Sequence, residues 1–136
     1  MTGLFVLMVA LGVVTWDRMS PHSSPLNHFF RGERLPAVPR RERPSTLPPE
    51  LFSGQAARAY RFASERPDLL EQIPCYCGCY FTQGHQNLLD CFHDRHAAMC
   101  EICQAIALRA ADLAKAGYGI EDIKAVIDRE FAQQEK

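Results

Sequence analysis

The sequence predicts an all-α protein: a small helical bundle with a cysteine-rich loop, preceded by an N-terminal apolar helix and a Pro-rich linker. Three observations lead to this prediction. Apolar residues recur at helical spacing in the C-terminal part of the chain, all six cysteines lie within residues 75–103, and seven of the nine prolines lie within residues 17–49. We therefore divide the chain into residues 1–16, 17–49 and 50–136.

The N-terminal segment, residues 1–16, is almost wholly apolar, and no charge occurs before Asp17. About fifteen apolar residues are short for a spanning helix of roughly twenty, and they also match the apolar region of a signal peptide. Because Trp16 suits a membrane interface and no small-x-small cleavage pattern stands out, we expect an uncleaved anchor with the domain on the extracytoplasmic side. The arginines that follow favour the opposite orientation by the positive-inside rule.

The linker and the domain differ in charge. Residues 17–49 are rich in proline and arginine, which predicts an extended and semi-rigid segment. Residues 1–49 carry six Arg against three acids, whereas residues 50–136 carry nine Lys and Arg against thirteen acids. A surface that binds phosphates usually has a basic excess, so the composition argues against nucleic acid as a partner. It identifies no protein partner.

Helical periodicity and capping residues divide the domain into helical elements. The predicted helices and short helical pieces cover about 54–65, 68–73, 87–92, 96–116 and 120–133. Pro74 pushes Ile73 out of the α region, so the chain should enter the cysteine-rich loop extended. Residues 81–85 after that loop are predicted to be irregular.

The loop Pro74-Cys75-Tyr76-Cys77-Gly78-Cys79-Tyr80 places a cysteine at every second position. Thiols two residues apart can converge on one side of an extended or turning backbone, and Gly78 permits backbone angles that bring amide donors near the sulfurs. A disulfide within a Cys-x-Cys pair is disfavoured by its geometry. The loop therefore suits either a metal or disulfides to distant partners.

Three further cysteines, Cys91, Cys100 and Cys103, follow the loop, and the last two should be neighbours on one helical face. The pattern favours a soft-metal site, with Cu(I) ahead of zinc and heavy metals and with an iron–sulfur cluster less favoured. The candidate ligands are Cys75, Cys77, Cys79, Cys91, Cys100, Cys103 and His85. His85 could instead only hydrogen-bond a sulfur.

Two alternatives remain open. Cys100, near the start of a helix, could be a thiol of lowered pKa in thiol–disulfide exchange, with Cys103 resolving it. Alternatively, three disulfides could staple a structural or interaction domain in an oxidising compartment. We predict no catalytic residues, and the pattern favours a binding protein over an enzyme.

The run Pro74-Cys75-Tyr76-Cys77-Gly78-Cys79, followed by Gly84-His85-Gln86-Asn87-Leu88-Leu89-Asp90-Cys91-Phe92 and by Cys100-x-x-Cys103, resembles the bacterial PCYCGC-motif family, also called CYCXC proteins. The resemblance covers roughly residues 50–133. It implies a small exported or membrane-anchored protein and places the family's signature cysteines and histidine at the candidate ligands. Some members are thought to carry selenocysteine in the loop, which is compatible with redox chemistry and with soft-metal binding. Unlike lipoprotein members, this chain has no cysteine near its start.

Overall fold

The computed structural model describes residues 37–132, which form an all-α domain. The predicted fold class is confirmed for this part of the chain, where helices and turns occur without strands. The predicted anchor at residues 1–16 lies outside the described residues. Among the described helices, none is both long and apolar enough to span a bilayer.

Six α-helices and two 3₁₀ turns make up the described domain. The α-helices are α1 (Gly54–Glu65), α2 (Pro67–Leu70), α3 (Cys79–Gln83), α4 (His96–Met99), α5 (Glu101–Lys115) and α6 (Ile120–Phe131), and the 3₁₀ turns are Pro49–Leu51 and Leu89–Phe92. The predictions for α1 and α6 agree with these bounds to within two residues. Helix α5 packs against α1 and against α6, so it is the central element of the bundle.

Two sequence predictions need correction. Residues 81–85 are not all irregular, because α3 covers Cys79–Gln83. It is flanked by Gly78 and Gly84, both of which have a left-handed backbone. The predicted helix 96–116 is two helices, because Cys100 has an extended backbone (φ −115°, ψ 100°) between α4 and α5. The buried Gln104 amide supports this break by donating hydrogen bonds to the carbonyl groups of Ala97 and Ala98.

The core is aromatic and aliphatic, and the segments that bear the cysteines pack against it. Tyr60 on α1 is buried between Phe52, whose ring centroid lies 4.0 Å away, and Phe92, which it meets edge to face at 5.0 Å. The Tyr60 hydroxyl donates a hydrogen bond to the Asp94 carbonyl at 2.5 Å. The segment before α4 is therefore fixed to α1.

Tyr76 connects the cysteine loop to the last helix. Its ring is buried, with its centroid 6.4 Å from that of Phe131, and its hydroxyl donates a hydrogen bond to the Asp128 carboxylate on α6. Since Tyr76 lies between Cys75 and Cys77, this contact also orients the two cysteines. Tyr76 is buried, while Cys75 and Cys77 on either side of it are half-buried and pack against the edge of the core.

Residues 38–47 lie along the domain as a strap, although the sequence predicts a linker there. The Val38 amide donates to the Gln86 carbonyl at 3.0 Å, and the Leu47 amide donates to the Phe92 carbonyl at 2.9 Å. The Arg40 Nε contacts both oxygens of the buried Asp90 carboxylate, at 2.8 and 2.9 Å. Because Asp90 immediately precedes Cys91, the strap holds the turn that carries this cysteine.

Replacing Arg40 with Ala should lower the free energy of unfolding by about 1–3 kcal/mol, because the buried Asp90 carboxylate loses a charged hydrogen-bond donor. The Gln86 amide still donates to Asp90 at 2.8 Å, which limits the loss. Urea denaturation of the full chain measures the change. Arg41→Ala, at an exposed neighbouring position, is the control and should have little effect. Equal stability of the Arg40 and Arg41 variants would refute a role for the strap.

Candidate metal centre

The backbone of the cysteine loop brings its three thiols to one place. The Leu88 amide donates to the Ile73 carbonyl at 2.8 Å, which closes the chain around residues 74–87. Within this loop, Gly78 has φ 77°, a left-handed conformation that reverses the chain and starts α3. Cys79 thus lies in the first turn of a helix, while Cys75 and Cys77 precede the reversal.

The other three thiols come from two separate elements. Cys91 is buried in the 3₁₀ turn Leu89–Phe92. Cys100 lies at the extended break before α5, and Cys103 lies in the first turn of that helix with its side chain buried. The break still leaves Cys100 and Cys103 close together, although they do not share one continuous helix.

The sulfur atoms form a connected network, and all six cysteines are free thiols. Cys75 is at its centre: its Sγ lies 3.1 Å from that of Cys77, 3.6 Å from that of Cys103 and 3.6 Å from that of Cys91. The Cys79 and Cys91 sulfurs are 3.5 Å apart, and those of Cys77 and Cys103 are 3.7 Å apart. A tetrahedral ion with metal–sulfur bonds of about 2.3 Å requires sulfur separations of about 3.8 Å. The network is therefore close to a thiolate coordination shell.

Two histidines join the network. The His85 Nδ1 lies 3.4 Å from the Cys91 sulfur, and the His96 Nε2 lies 3.4 Å from the Cys77 sulfur. The second ring nitrogen of His85 faces Asp94, with Nε2 3.8 Å from a carboxylate oxygen. A carboxylate beyond the imidazole is the usual outer partner of a metal-ligating histidine, where it orients the ring.

Grouped by mutual distance, the donors form sets that could each hold an ion. Every donor atom in a set lies within 4.8 Å of the others. The two sets of four are Cys77, His96, Cys100 and Cys103, and Cys79, His85, Cys91 and His96. Three thiolates with one imidazole, or two with two, are common donor sets for tetrahedral zinc.

The thiols do not ionise equally. Hydrogen bonding by Cys103 is the main cause that lowers the pKa of Cys75, to about 4, and it also lowers the pKa of Cys77. The hydrogen bond with Cys75 is the main cause that raises the pKa of Cys103. Likewise, hydrogen bonding to Cys103 is the main cause that raises the pKa of Cys91. Neighbouring S–H donors thus favour a thiolate within the Cys75–Cys77 pair, and binding of a metal there would release the protons that remain on the other thiols.

Burial lowers the pKa of His85, and this effect outweighs the opposing influence of Asp94. The imidazole is therefore neutral at neutral pH, which is the state that can ligate a metal. Burial is also the main cause that raises the pKa of Cys100. Cys100 consequently lacks the lowered pKa that the thiol-exchange alternative assigned to it.

The structure brings together all seven residues that the sequence proposes as ligands, while their role as ligands remains a prediction. Sequence reasoning missed His96, which it assigned to the apolar face of a helix. The sequence does contain a pattern that indicates His96 as a ligand. His96, Cys100 and Cys103 are spaced as H-x₃-C-x₂-C, and residues four and seven apart share a helical face. His93 was not predicted as a ligand, and its Nδ1 donates to the Asp90 carbonyl.

The described domain thus belongs to the class of small helical proteins with a clustered cysteine and histidine site. The family model described as "Protein of unknown function with PCYCGC motif" matches residues 44–135, and the chain belongs to this family. Neither the curated proteins nor the solved structures compared with this chain include one that matches it. The match begins within the strap, upstream of the domain boundary that the sequence predicts at residue 50.

If the cluster binds metal, replacing Gly78 with Ala should lower the affinity, because a side chain at φ 77° is strained by about 1–2 kcal/mol and the reversal that joins Cys77 to Cys79 would open. A Cβ at this position meets no atom within 4 Å, so the backbone alone causes the effect. Competition with a chromogenic chelator measures the affinity.

The matched control for this substitution is Gly119→Ala. Gly119 has φ −72°, which any residue adopts, and a Cβ there would lie 3.8 Å from the Asp122 carboxylate, an ordinary contact. This variant should bind metal like the natural chain. If Gly78→Ala and Gly119→Ala bind equally well, the left-handed turn does not organise the site.

Proposed function

We propose that this protein binds a soft metal ion through its clustered cysteine thiolates, with Cu(I) as the favoured ion and zinc or a heavy metal next. The observation that carries the proposal is the continuous sulfur network centred on Cys75. Separate structural disulfides would require thiols in isolated pairs, whereas here Cys75 contacts three other sulfurs. Close packing of several thiols is what one soft cation, bound by several thiolates, requires.

The negative charge of the thiolates also supports metal binding. Metal binding requires deprotonated thiols, and several thiolates at 3.1–3.7 Å repel one another strongly unless a cation lies among them. Three of the thiols, Cys79, Cys91 and Cys103, are fully buried, where an uncompensated negative charge is costly. A bound cation would offset both effects.

The preference for Cu(I) rests on the softness of the donors. Six thiols exceed the four donors that a single tetrahedral zinc uses, and thiolate-rich sites select soft ions such as Cu(I). Zinc is the second choice, because the donor sets also include the imidazoles of His85 and His96. These donor sets therefore favour a metal-binding protein over an enzyme.

Thiol–disulfide exchange is the second candidate, and one observation favours it. The pKa of Cys75 is lowered to about 4, and its sulfur lies only 3.1 Å from that of Cys77. A thiolate of low pKa is the reactive species in disulfide exchange. The reactive thiol would then be Cys75 rather than Cys100, with Cys91 or Cys103, each 3.6 Å away, to resolve it.

The proposal is tested on the full chain, purified without added metal and without added reductant, by elemental mass spectrometry and thiol titration before and after chelation. We expect stoichiometric copper or zinc and thiols that become reactive once the metal is removed. Absence of metal together with six blocked sulfurs would favour the disulfide alternative. Absence of metal together with a few reactive thiols would favour exchange chemistry.

Cys77→Ser should lower both the metal content and the free energy of unfolding, since metal bound only by the folded state stabilises it. Thr82→Ser, at an exposed position on α3, is the control and should change neither. If Cys77→Ser instead keeps its metal and fold while exchange activity disappears, Cys77 is a redox thiol.

We also propose that residues 1–16 attach the protein to a membrane, with the domain on the extracytoplasmic side. Support comes from the apolar composition of this segment and from Trp16 at its end. A thiolate site outside the cytoplasm would be exposed to oxidation in the absence of metal, so occupancy would also protect the sulfurs.

Alkaline carbonate extraction of membranes tests this attachment. The full chain should stay in the membrane fraction, and a variant without residues 1–16 should be released. Protease added to sealed membranes with their outer face exposed should digest the domain only if it lies outside. Full release of the natural chain by carbonate would contradict membrane attachment. Complete protection of the domain from protease would contradict its extracytoplasmic location.

A further inference from the structure

We infer that the cysteine cluster is two metal subsites rather than one: a buried inner subsite at Cys79, His85 and Cys91, and a half-buried outer subsite at Cys77, His96, Cys100 and Cys103. This inference rests on the proposed metal-binding function. It adds that each chain holds two ions, and that the outer ion exchanges while the inner ion is retained.

The outer subsite has four donors from three elements. The Cys77 sulfur is 3.4 Å from the His96 Nε2 and 3.7 Å from the Cys103 sulfur, and the donor atoms of all four residues lie within 4.8 Å of one another. These separations match the edges of a tetrahedron with a metal–sulfur bond of about 2.3 Å. One ion can therefore be held with only small movements of the side chains.

The inner subsite adjoins the outer one. The Cys91 sulfur is 3.5 Å from that of Cys79 and 3.4 Å from the His85 Nδ1, and all three side chains are buried. Asp94 faces the far nitrogen of His85, as expected for an oriented ligand. None of these three donors belongs to the outer set, and His96 lies within 4.8 Å of the donors of both; we assign it to the outer ion because its Nε2 is 3.4 Å from the Cys77 sulfur.

A single four-coordinate ion cannot use all of these donors. An ion in the outer subsite leaves Cys79, His85 and Cys91 buried with no cation, and an ion in the inner subsite leaves the outer thiols without one. Two four-coordinate ions use eight donors, which is the number supplied by the six thiols together with His85 and His96.

Cys75 lies between the two subsites and is the donor that can complete the inner one. Its sulfur is 3.6 Å from that of Cys91 in the inner subsite and 3.6 Å from that of Cys103 in the outer subsite. Its position beside both subsites places the two ions close together. Loss of Cys75 should therefore remove the fourth donor of the inner ion and leave the four outer donors in place.

The two subsites differ in access to solvent. All three inner donors are buried, whereas Cys77, His96 and Cys100 are half-buried, and Cys103 alone of the outer set is buried. A chelator or an acceptor protein can reach the outer ion first, because ligand exchange needs an approach to the metal. The outer subsite therefore serves transfer, and the inner subsite serves retention.

The test uses Cd²⁺, a soft, diamagnetic probe, added to the reduced, metal-free full chain. Native mass spectrometry should give two ions per chain, and ¹¹³Cd NMR should give two resonances. Addition of excess EDTA should remove the ions in two phases, with the outer resonance lost first. Cys100→Ser should reduce the stoichiometry from two to one and remove only the fast phase. Glu101→Gln, an exposed neighbour outside the cluster, should keep both ions.

Cys91→Ser should remove the slow phase, and circular dichroism shows whether this buried substitution still folds. If the Cys91→Ser variant does not fold, the number of resonances in the natural chain and the number of ions bound by Cys100→Ser still show whether there are two subsites. One ion per chain with a single resonance would overturn the two-subsite inference and leave metal binding intact. Two ions lost together in one phase, or both lost in Cys100→Ser, would also overturn it. No bound ion at all would remove the proposed function itself.

Discussion

Close packing of the cysteine sulfurs is the constraint on which the rest of this structure depends. Six sulfurs share one small region, and the sulfur of Cys75 contacts three others at 3.1–3.6 Å. As thiols they can satisfy one another by S–H donation, with Cys91 donating to Cys75 and Cys103 donating to Cys77. If several of them ionise, their negative charges repel unless a cation lies among them. The metal binding proposed here would therefore link the charge of the cluster to the stability of the surrounding fold.

The scaffold acts mainly by fixing the ends of the segments that bear these thiols. Tyr76 reaches α6, Tyr60 holds the Asp94 carbonyl, and Arg40 neutralises Asp90 beside Cys91. Each of these polar groups contacts a different part of the domain. In the part of the chain that the structure describes, cysteines from separate segments thus converge without a sheet to support them. A domain of this small size would gain stability if a metal ion bound these cysteines together.

Local sequence patterns predict much of this fold. The bounds of α1 and α6 follow from helical periodicity with a proline or glycine at the boundary, and the loop at residues 75–79 follows from its cysteine spacing. The grouping of the six cysteines with His85 was also predictable, because soft donors so closely spaced in sequence suit a common site.

The features that the sequence does not reveal depend on tertiary contacts. The break at Cys100 follows no proline or glycine, and it is supported by Gln104, whose amide bonds to the end of the preceding helix. The strap has the composition of a linker, and only its contacts with Gln86, Asp90 and Phe92 attach it to the domain. His96 was missed because a histidine within an apolar helical pattern resembles a core residue, and its distance to Cys77 exists only after folding.

X-ray absorption spectroscopy of the metal-loaded full chain tests the central claim most directly, because it reports the atoms bound to the metal. For zinc, we predict a first coordination shell dominated by sulfur at about 2.3 Å, with a minor contribution from imidazole nitrogen at about 2.0–2.1 Å. For copper, we predict the edge of Cu(I) and a shell of sulfur. A shell made mainly of oxygen and nitrogen would show that the metal binds elsewhere, and would contradict the cysteine cluster as the binding site.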